Sequence, residues 1–233
     1  LKELKKRHIS DDQIEAVLRS KLPVLSGIND NISTKVTKQY EEHPYPKWVN
    51  LSLPLRTSSV SEIAEALNLR IRDKNIYKLG CLQILIAGCG TGQHAISTAA
   101  RFKDCKVLAI DLSLRSLTYA KRKTEELGLG NIEYMKADIL DLGKLDREFD
   151  IIESSGVLHH MENPLAGWKR ITKSLKQGGL MKVGLYSELG RTNIVKMHKE
   201  IEQQNIGATA SGMKSFRSQV VDSAQAHQIG RAS

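Results

Sequence analysis

The stretch ILIAGCGTGQHA, Ile84 to Ala95, joins a run of branched apolar residues to three glycines at alternate positions. A short apolar run rich in isoleucine reads as a buried strand. Glycines directly after it read as a tight turn into a helix, at a point where a Cβ would strike a ligand or the helix packed against the strand. In open parallel sheets, ligands bind beyond the carboxyl ends of the strands, so this turn marks a nucleotide-type site. The dinucleotide fingerprint G-x-G-x-x-G would place its third glycine where Gln93 stands; here that glycine comes one residue early, at Gly92, which weakens a pyrophosphate reading.

Downstream of this turn, short apolar strands alternate with helical patterns. QILIA (83–87), KVLAI (106–110), NIEYM (131–135), FDIIE (149–153) and GLMKVGLYS (179–187) read as strands. Helices are expected from Gln93, from Ser113 and from Pro164. The second would carry Leu114, Leu117, Ala120, Thr124 and Leu127 on one face. The third would be capped by Asn163, face the core through Leu165, Trp168, Ile171 and Leu175, and end at Gly178-Gly179. This alternation predicts an α/β fold: a Rossmann-like, doubly wound, mostly parallel sheet covered on both faces. A further helix is expected over 192–204.

Upstream, helices are expected over 10–20, with Ile14, Val17 and Leu18 on one face, and over 30–41. The proline-stiffened stretch YEEHPYPKW (40–48) follows, and Ser59 with Glu62 has capping-box spacing ahead of a helix reaching Leu67. The organisation is read as an N-terminal helical and strap segment (1–50), a main domain (51–206) and an irregular or truncated tail (207–233). Because the chain begins at Leu1 rather than Met, it reads as a piece of something longer.

The chemistry-bearing residues follow the strands. Asp111 ends the second strand, nineteen residues beyond Gly92, where a carboxylate can accept both hydroxyls of a ribose. Asp138 follows the third strand, where it can accept from an exocyclic adenine amino group while Ile139 packs near the ring. Taken together and in this order, ILIAGCGTG, AIDLS, KADIL and FDIIESSGVLHHMENP resemble the class I methyltransferases that use S-adenosylmethionine, over roughly residues 83–187. The resemblance implies that the turn Gly88-Cys89-Gly90-Thr91-Gly92 lies under the methionine part and ribose of the cofactor. It implies that Asp111, with Leu112 beside it, holds the ribose and that Asp138 and Ile139 hold the adenine. Ser154 and Ser155 would face the methyl donor. More narrowly, INDNISTKVTKQYEEHPYPKWV (28–49) with ILIAGCGTGQHAISTAARF (84–102) is similar to bacterial methyltransferase domains preceded by tetratricopeptide repeats, which implies a protein partner recruited through an upstream repeat region.

Two departures from the family pattern stand out. The family usually has an acid two residues before the first glycine, facing the amino end of the cofactor; this chain has Ile86. The antiparallel strand pair that normally closes the family's sheet has no counterpart in the sequence, so the C-terminal strands are expected to be missing.

Other residues bear on the chemistry. His160 and His159, after the fourth strand, are candidate general bases for methyl transfer, with a structural role as the alternative. His94, in the first helical turn after the glycines, either touches the cofactor or simply packs. Tyr40, His43, Tyr45 and Trp48 are read as a lid over the cofactor, with a plain strap as the alternative. Glu153 and Glu162, nine residues apart, are read as coincidence rather than a paired-carboxylate site.

The bulk properties narrow the field. The 233 residues carry a formal charge of +9, spread along the chain, and 5% aromatics, so nucleic acid is neither supported nor excluded as a partner. No run reaches membrane-span length, so no membrane association is expected. Three cysteines without metal-ligand spacing argue for a reducing, cytoplasmic setting and for no metal. The leading expectation is an S-adenosylmethionine-dependent methyltransferase acting on a protein or small molecule. The alternatives are a non-catalytic module that binds the cofactor, and an NAD-dependent oxidoreductase.

Overall fold

A computed structural model describes residues 2–25, 37, 40, 41, 48–187, 189–207 and 209–222. The chain divides into two compact units, Leu1–Leu185 and Tyr186–Ser233. The first unit holds a five-stranded sheet: β1 (Leu82–Ala87), β2 (Cys105–Asp111), β3 (Ile132–Lys136), β4 (Phe149–Ser155) and β5 (Leu175–Gly184), in the order β3-β2-β1-β4-β5. Every pairing is parallel. The sequence reverses direction between β1 and β4, which places a topological switch point at the carboxyl end of β1, beside the glycine turn. No antiparallel pair occurs among the described residues.

The helices of this unit are α1 (Lys2–Lys21), α2 (Val60–Ala66), α3 (Gln93–Arg101), α4 (Leu114–Glu126) and α5 (Pro164–Lys173). The strands are apolar on both faces because helices cover both. Ile84, Ile86, Val107 and Ala109 pack with Ala95, Ile96, Leu117 and Ala120 of α3 and α4 on one side. Leu85, Ala87, Leu108, Ile110 and Ile152 pack with Ile171 of α5 on the other. The expected capping box at the start of α2 is present: Ser59 Oγ accepts from the Glu62 amide while the Glu62 carboxylate accepts from the Ser59 amide.

Four local expectations are corrected. First, α5 ends at Lys173, with Ser174 as its C-cap; Gly178 and Gly179 lie inside β5, where Gly179 passes close to the Asp150 carbonyl. Second, Leu165 and Trp168 are exposed (65% and 38%), because the buried stripe of α5 runs through Gly167 and Ile171 instead. Third, α1 turns Asp11, Glu15 and Leu18 inward while Ile14 and Val17 are exposed. Its contact with α4 is ionic: Arg122, buried on α4, meets Asp11 and Glu15 as well as its own-helix neighbour Glu126. Leu127, at the end of α4, is likewise exposed.

The fourth correction concerns the second unit, which contains α6 (Thr192–Gln203) and α7 (Ala210–Asp222). The region after 207 was expected to be irregular, yet it carries α7. The apolar residues Met213, Phe216, Val220 and Val221 recur at helical spacing there, and with Met197 and Ile201 of α6 they line one groove. Of the helix expected over 30–41, Thr37, Tyr40 and Glu41 are helical and the rest lies outside the described residues. Among the described residues, no helix is long and apolar enough to cross a membrane.

Candidate functional site

The carboxyl ends of β1, β2, β3 and β4 bring the expected residues to one rim of the sheet. At the end of β1 the chain turns through Gly88, Gly90 and Gly92, all with positive φ (81°, 52° and 87°). The first and last of these glycines are required by the protein's own packing. A Cβ on Gly88 would collide with Val157, and one on Gly92 would lie 2.5 Å from the Ala120 Cβ of α4. Between them, Cys89 and Thr91 are buried. Burial pushes the Cys89 thiol well above its ordinary pKa, and the nearby Asp111 charge adds to the effect, so Cys89 is a packing residue and not a nucleophile.

Asp111 is built into this turn. Its Oδ2 accepts from the Gly90 amide at 2.8 Å and its Oδ1 from the Ser113 amide at 3.0 Å. One carboxylate thus fixes both the glycine turn and the start of α4, whose N-cap is Ser113. A carboxylate offers about four acceptor sites, so acceptor capacity remains for an incoming hydroxyl. Burial raises the Asp111 pKa, the amides of Ser113, Gly90 and Leu112 oppose that rise, and the charge of Glu41 reinforces it. After β3, Asp138 is buried, and its Oδ1 accepts from the Leu140 amide at 2.9 Å; Ile139 is buried beside it. At the end of β4, Ser154 is buried and donates to the Ala87 carbonyl at 3.0 Å, which ties β4 to the glycine turn, while Ser155 is exposed.

His159 and His160 occupy a single 3-10 turn (Leu158–His160) after β4. Their Nε2 atoms are 3.1 Å apart. In that contact one ring donates and the other accepts, so at least one imidazole is neutral. Tyr40 is half-buried in a helical residue pair with Glu41. Tyr45 and His43 lie outside the described residues. At the two ends of the expected lid, anchors are visible. Glu41 Oε1 accepts from the Arg115 amide in the first turn of α4. Trp48 is buried, and its indole donates to the Thr91 carbonyl at 3.1 Å, inside the glycine turn. Tyr119 donates to the Trp48 carbonyl, and its ring meets the indole edge-on at 6.1 Å. Glu41 and Trp48 are therefore both bonded to the helix that follows Asp111, and Trp48 also to the turn.

Sequence reasoning set Glu153 aside. In the structure it is 3% exposed and sits at the centre of an ionic cluster. Its Oε2 receives His94 Nε2 at 2.5 Å and Thr98 Oγ1 at 2.9 Å, and its Oε1 receives Arg101 Nη2 at 2.9 Å. These three partners fall at i, i+4 and i+7 along α3, one stripe facing β4. Burial alone would raise the Glu153 pKa. The hydrogen bond of His94 and, when that ring is protonated, its charge, together with the charge of Arg101 and the hydroxyl of Thr98, outweigh it and lower it to about 2. Glu153 is also in register with Ile86 across the β1–β4 pair. The position that lacks an acid on β1 is thus flanked, on the same face of the sheet, by an acid on β4. The signal was available in the sequence as the coincidence of Ile86 with a glutamate inside the apolar run FDIIES.

Residues 84–179 match the family model described as a methyltransferase domain. An uncharacterized protein of Synechococcus sp. is 28% identical over 78% of this chain and 44% of its own length. A probable (S)-tetrahydroprotoberberine N-methyltransferase of Papaver bracteatum is 26% identical over 66% of this chain and 45% of its own. The chain thus spans less than half the length of these two relatives. Among solved structures, one described as converting a disulfide bond into a thioacetal group during echinomycin biosynthesis superposes with a TM-score of 0.50 at 24% identity, over 70% of this chain and 63% of that one. The family match over residues 84–179 and the sheet order are those of a methyltransferase domain.

Proposed function

We propose that this chain transfers a methyl group from S-adenosylmethionine to a protein or small-molecule acceptor. The observation that carries the reading is the Asp111 carboxylate, which braces Gly90 and Ser113 while keeping acceptor capacity at the switch point of the sheet. The rim suits the cofactor's chemistry: a hydroxyl-accepting carboxylate on β2, an amine-accepting carboxylate at Asp138 after β3, and a turn of backbone amides between β1 and α3. When bound, the cofactor supplies a methyl group on a positively charged sulfur, ready for in-line displacement.

The chain's own part is alignment and proton handling. Asp111 and Leu112 hold the ribose end. Asp138 and Ile139 hold the adenine, and Ser154 and Ser155 border the reacting methyl. Holding donor and acceptor in line is worth about 7–11 kcal/mol of barrier. His160, exposed and bonded to His159, takes the acceptor's proton in this proposal, and the shared Nε2 contact keeps one ring of the pair neutral for the task. The bonds of Glu41 to α4 and of Trp48 to the glycine turn support the lid reading, with Tyr40 beside Glu41.

The finer likeness to domains linked to tetratricopeptide repeats extends the proposal to a protein partner, and the three free cysteines fit a cytoplasmic setting. The test is a transfer assay with methyl-labelled S-adenosylmethionine on fractionated cell extract. Label in a defined protein or metabolite fraction that disappears with Asp111→Ala supports the reading. Cofactor binding with no label in any fraction would favour a non-catalytic binding module.

A further inference from the structure

The buried cluster on α3 has a property that its packing does not require. Glu153 is held ionised, so it can only accept, and His94 must therefore present Nε2–H to it. In a neutral imidazole that assignment leaves Nδ1 as an acceptor, since the hydrogen bond at one ring nitrogen sets the tautomer at the other. Among the described residues, His94 Nδ1 makes no hydrogen bond, and the ring is 26% exposed, whereas Glu153 beneath it is sealed. His94 is the second residue after Gly92, in the first turn of the helix that leaves the glycine turn. The other side chain at this level of the sheet is Ile86, which offers nothing polar.

We propose that the neutral form of His94 accepts, through Nδ1, a hydrogen bond from the α-ammonium of the cofactor's methionine part, and that Glu153 is the positioning residue that fixes the ring and its tautomer. The proposal rests on the cofactor assignment above. Arg101 and Thr98 complete the support: they occupy Glu153 oxygens so that its carboxylate stays against α3. The acid missing from β1 is thereby replaced by a two-residue relay that starts on β4 and ends on α3.

The experiment compares two ligands by calorimetry: S-adenosylhomocysteine, and 5′-S-(3-carboxypropyl)-5′-thioadenosine, which differs only by lacking the amino group. Wild-type protein is expected to prefer the former by about tenfold or more, the worth of one hydrogen bond to a charged group. His94→Leu should abolish that preference while leaving the affinity for the amino-free ligand unchanged. Glu153→Gln, which no longer enforces the tautomer, should narrow it. Equal loss for both ligands in His94→Leu, or an undiminished preference, overturns the proposal. If either variant fails to fold, the wild-type protein labelled with 15N-histidine decides: one Nδ1 signal must move with S-adenosylhomocysteine and stay fixed with the amino-free ligand, and identical responses to both refute the contact. Failure of wild-type protein to bind either ligand would instead strike the cofactor assignment itself.

Discussion

Replacing Glu153 by Gln perturbs a buried charge held by three partners on α3. In the folded chain its pKa lies at about 2, against an ordinary value of 4.5. At about 1.4 kcal/mol per unit this difference corresponds to about 3 kcal/mol of stability. Arg101 is 37% exposed and its contribution is screened by solvent, so about 3 kcal/mol is an upper bound. Removing one partner of a buried pair also strands the others, a cost of the same order. The folded-state pKa is depressed, so the stabilisation is fully present above pH 4.5 and is lost as the pH falls toward 2. Urea unfolding of wild-type and Glu153→Gln protein at a series of pH values reads this directly. The variant should be less stable by about 2–3 kcal/mol at pH 7, with the gap constant down to about pH 4.5 and shrinking below it. A gap that is absent at pH 7, or that persists unchanged at pH 3, refutes the ionic account of the cluster.

Other perturbations follow from the same geometry. Trp48→Phe removes the donor to the Thr91 carbonyl while keeping an aromatic ring, and should cost about 1 kcal/mol in thermal or urea unfolding and weaken S-adenosylhomocysteine binding. Unchanged stability and affinity would detach the strap from the site. Gly92→Ala places a Cβ 2.5 Å from the Ala120 Cβ at a backbone φ of 87°, so urea unfolding should show a loss of about 2 kcal/mol or more even without ligand. A loss seen only in ligand binding would mean that the glycine serves the cofactor and not α4.

The sheet was legible because its signals are local and redundant. The central strands β1, β2 and β4 are dense apolar runs, and Ser113, Asn163 and the Ser59/Glu62 pair announce three helix starts through caps that the structure contains. The ends of elements were less legible. Gly178-Gly179 looks like a helix stop, yet the chain turns at Ser174 and uses those glycines where β5 passes the Asp150 carbonyl. The apolar stripe of α5 was misassigned because Gly167, which lets Met161 and Leu158 approach, marks the buried face better than Leu165 or Trp168 does. In α1 the inward face is charged, and hydrophobic periodicity cannot reveal a contact built on Asp11, Glu15 and Arg122.

The rim of the site was legible to the extent that its residues follow strands. Asp111, Asp138 and Ser154 come to the carboxyl ends of β2, β3 and β4, where α/β topology places ligands. The Glu153 cluster was missed because it depends on register. Only the pairing of β1 with β4 shows that Ile86 and Glu153 are neighbours, and only the packing of α3 shows that His94, Thr98 and Arg101 converge on one carboxylate. The reasons for Gly88 and Gly92 were likewise non-local, since Val157 and Ala120 are what exclude their side chains.

The central claim is that Asp111 and the turn from Gly88 to Gly92 hold S-adenosylmethionine. Calorimetric titration of wild-type and Asp111→Ala protein with S-adenosylmethionine tests it most directly. The account predicts one-to-one binding by wild-type protein and an affinity lower by about tenfold or more in the variant, which loses a charged acceptor. Absence of binding to wild-type protein, or equal affinity in both, would contradict it.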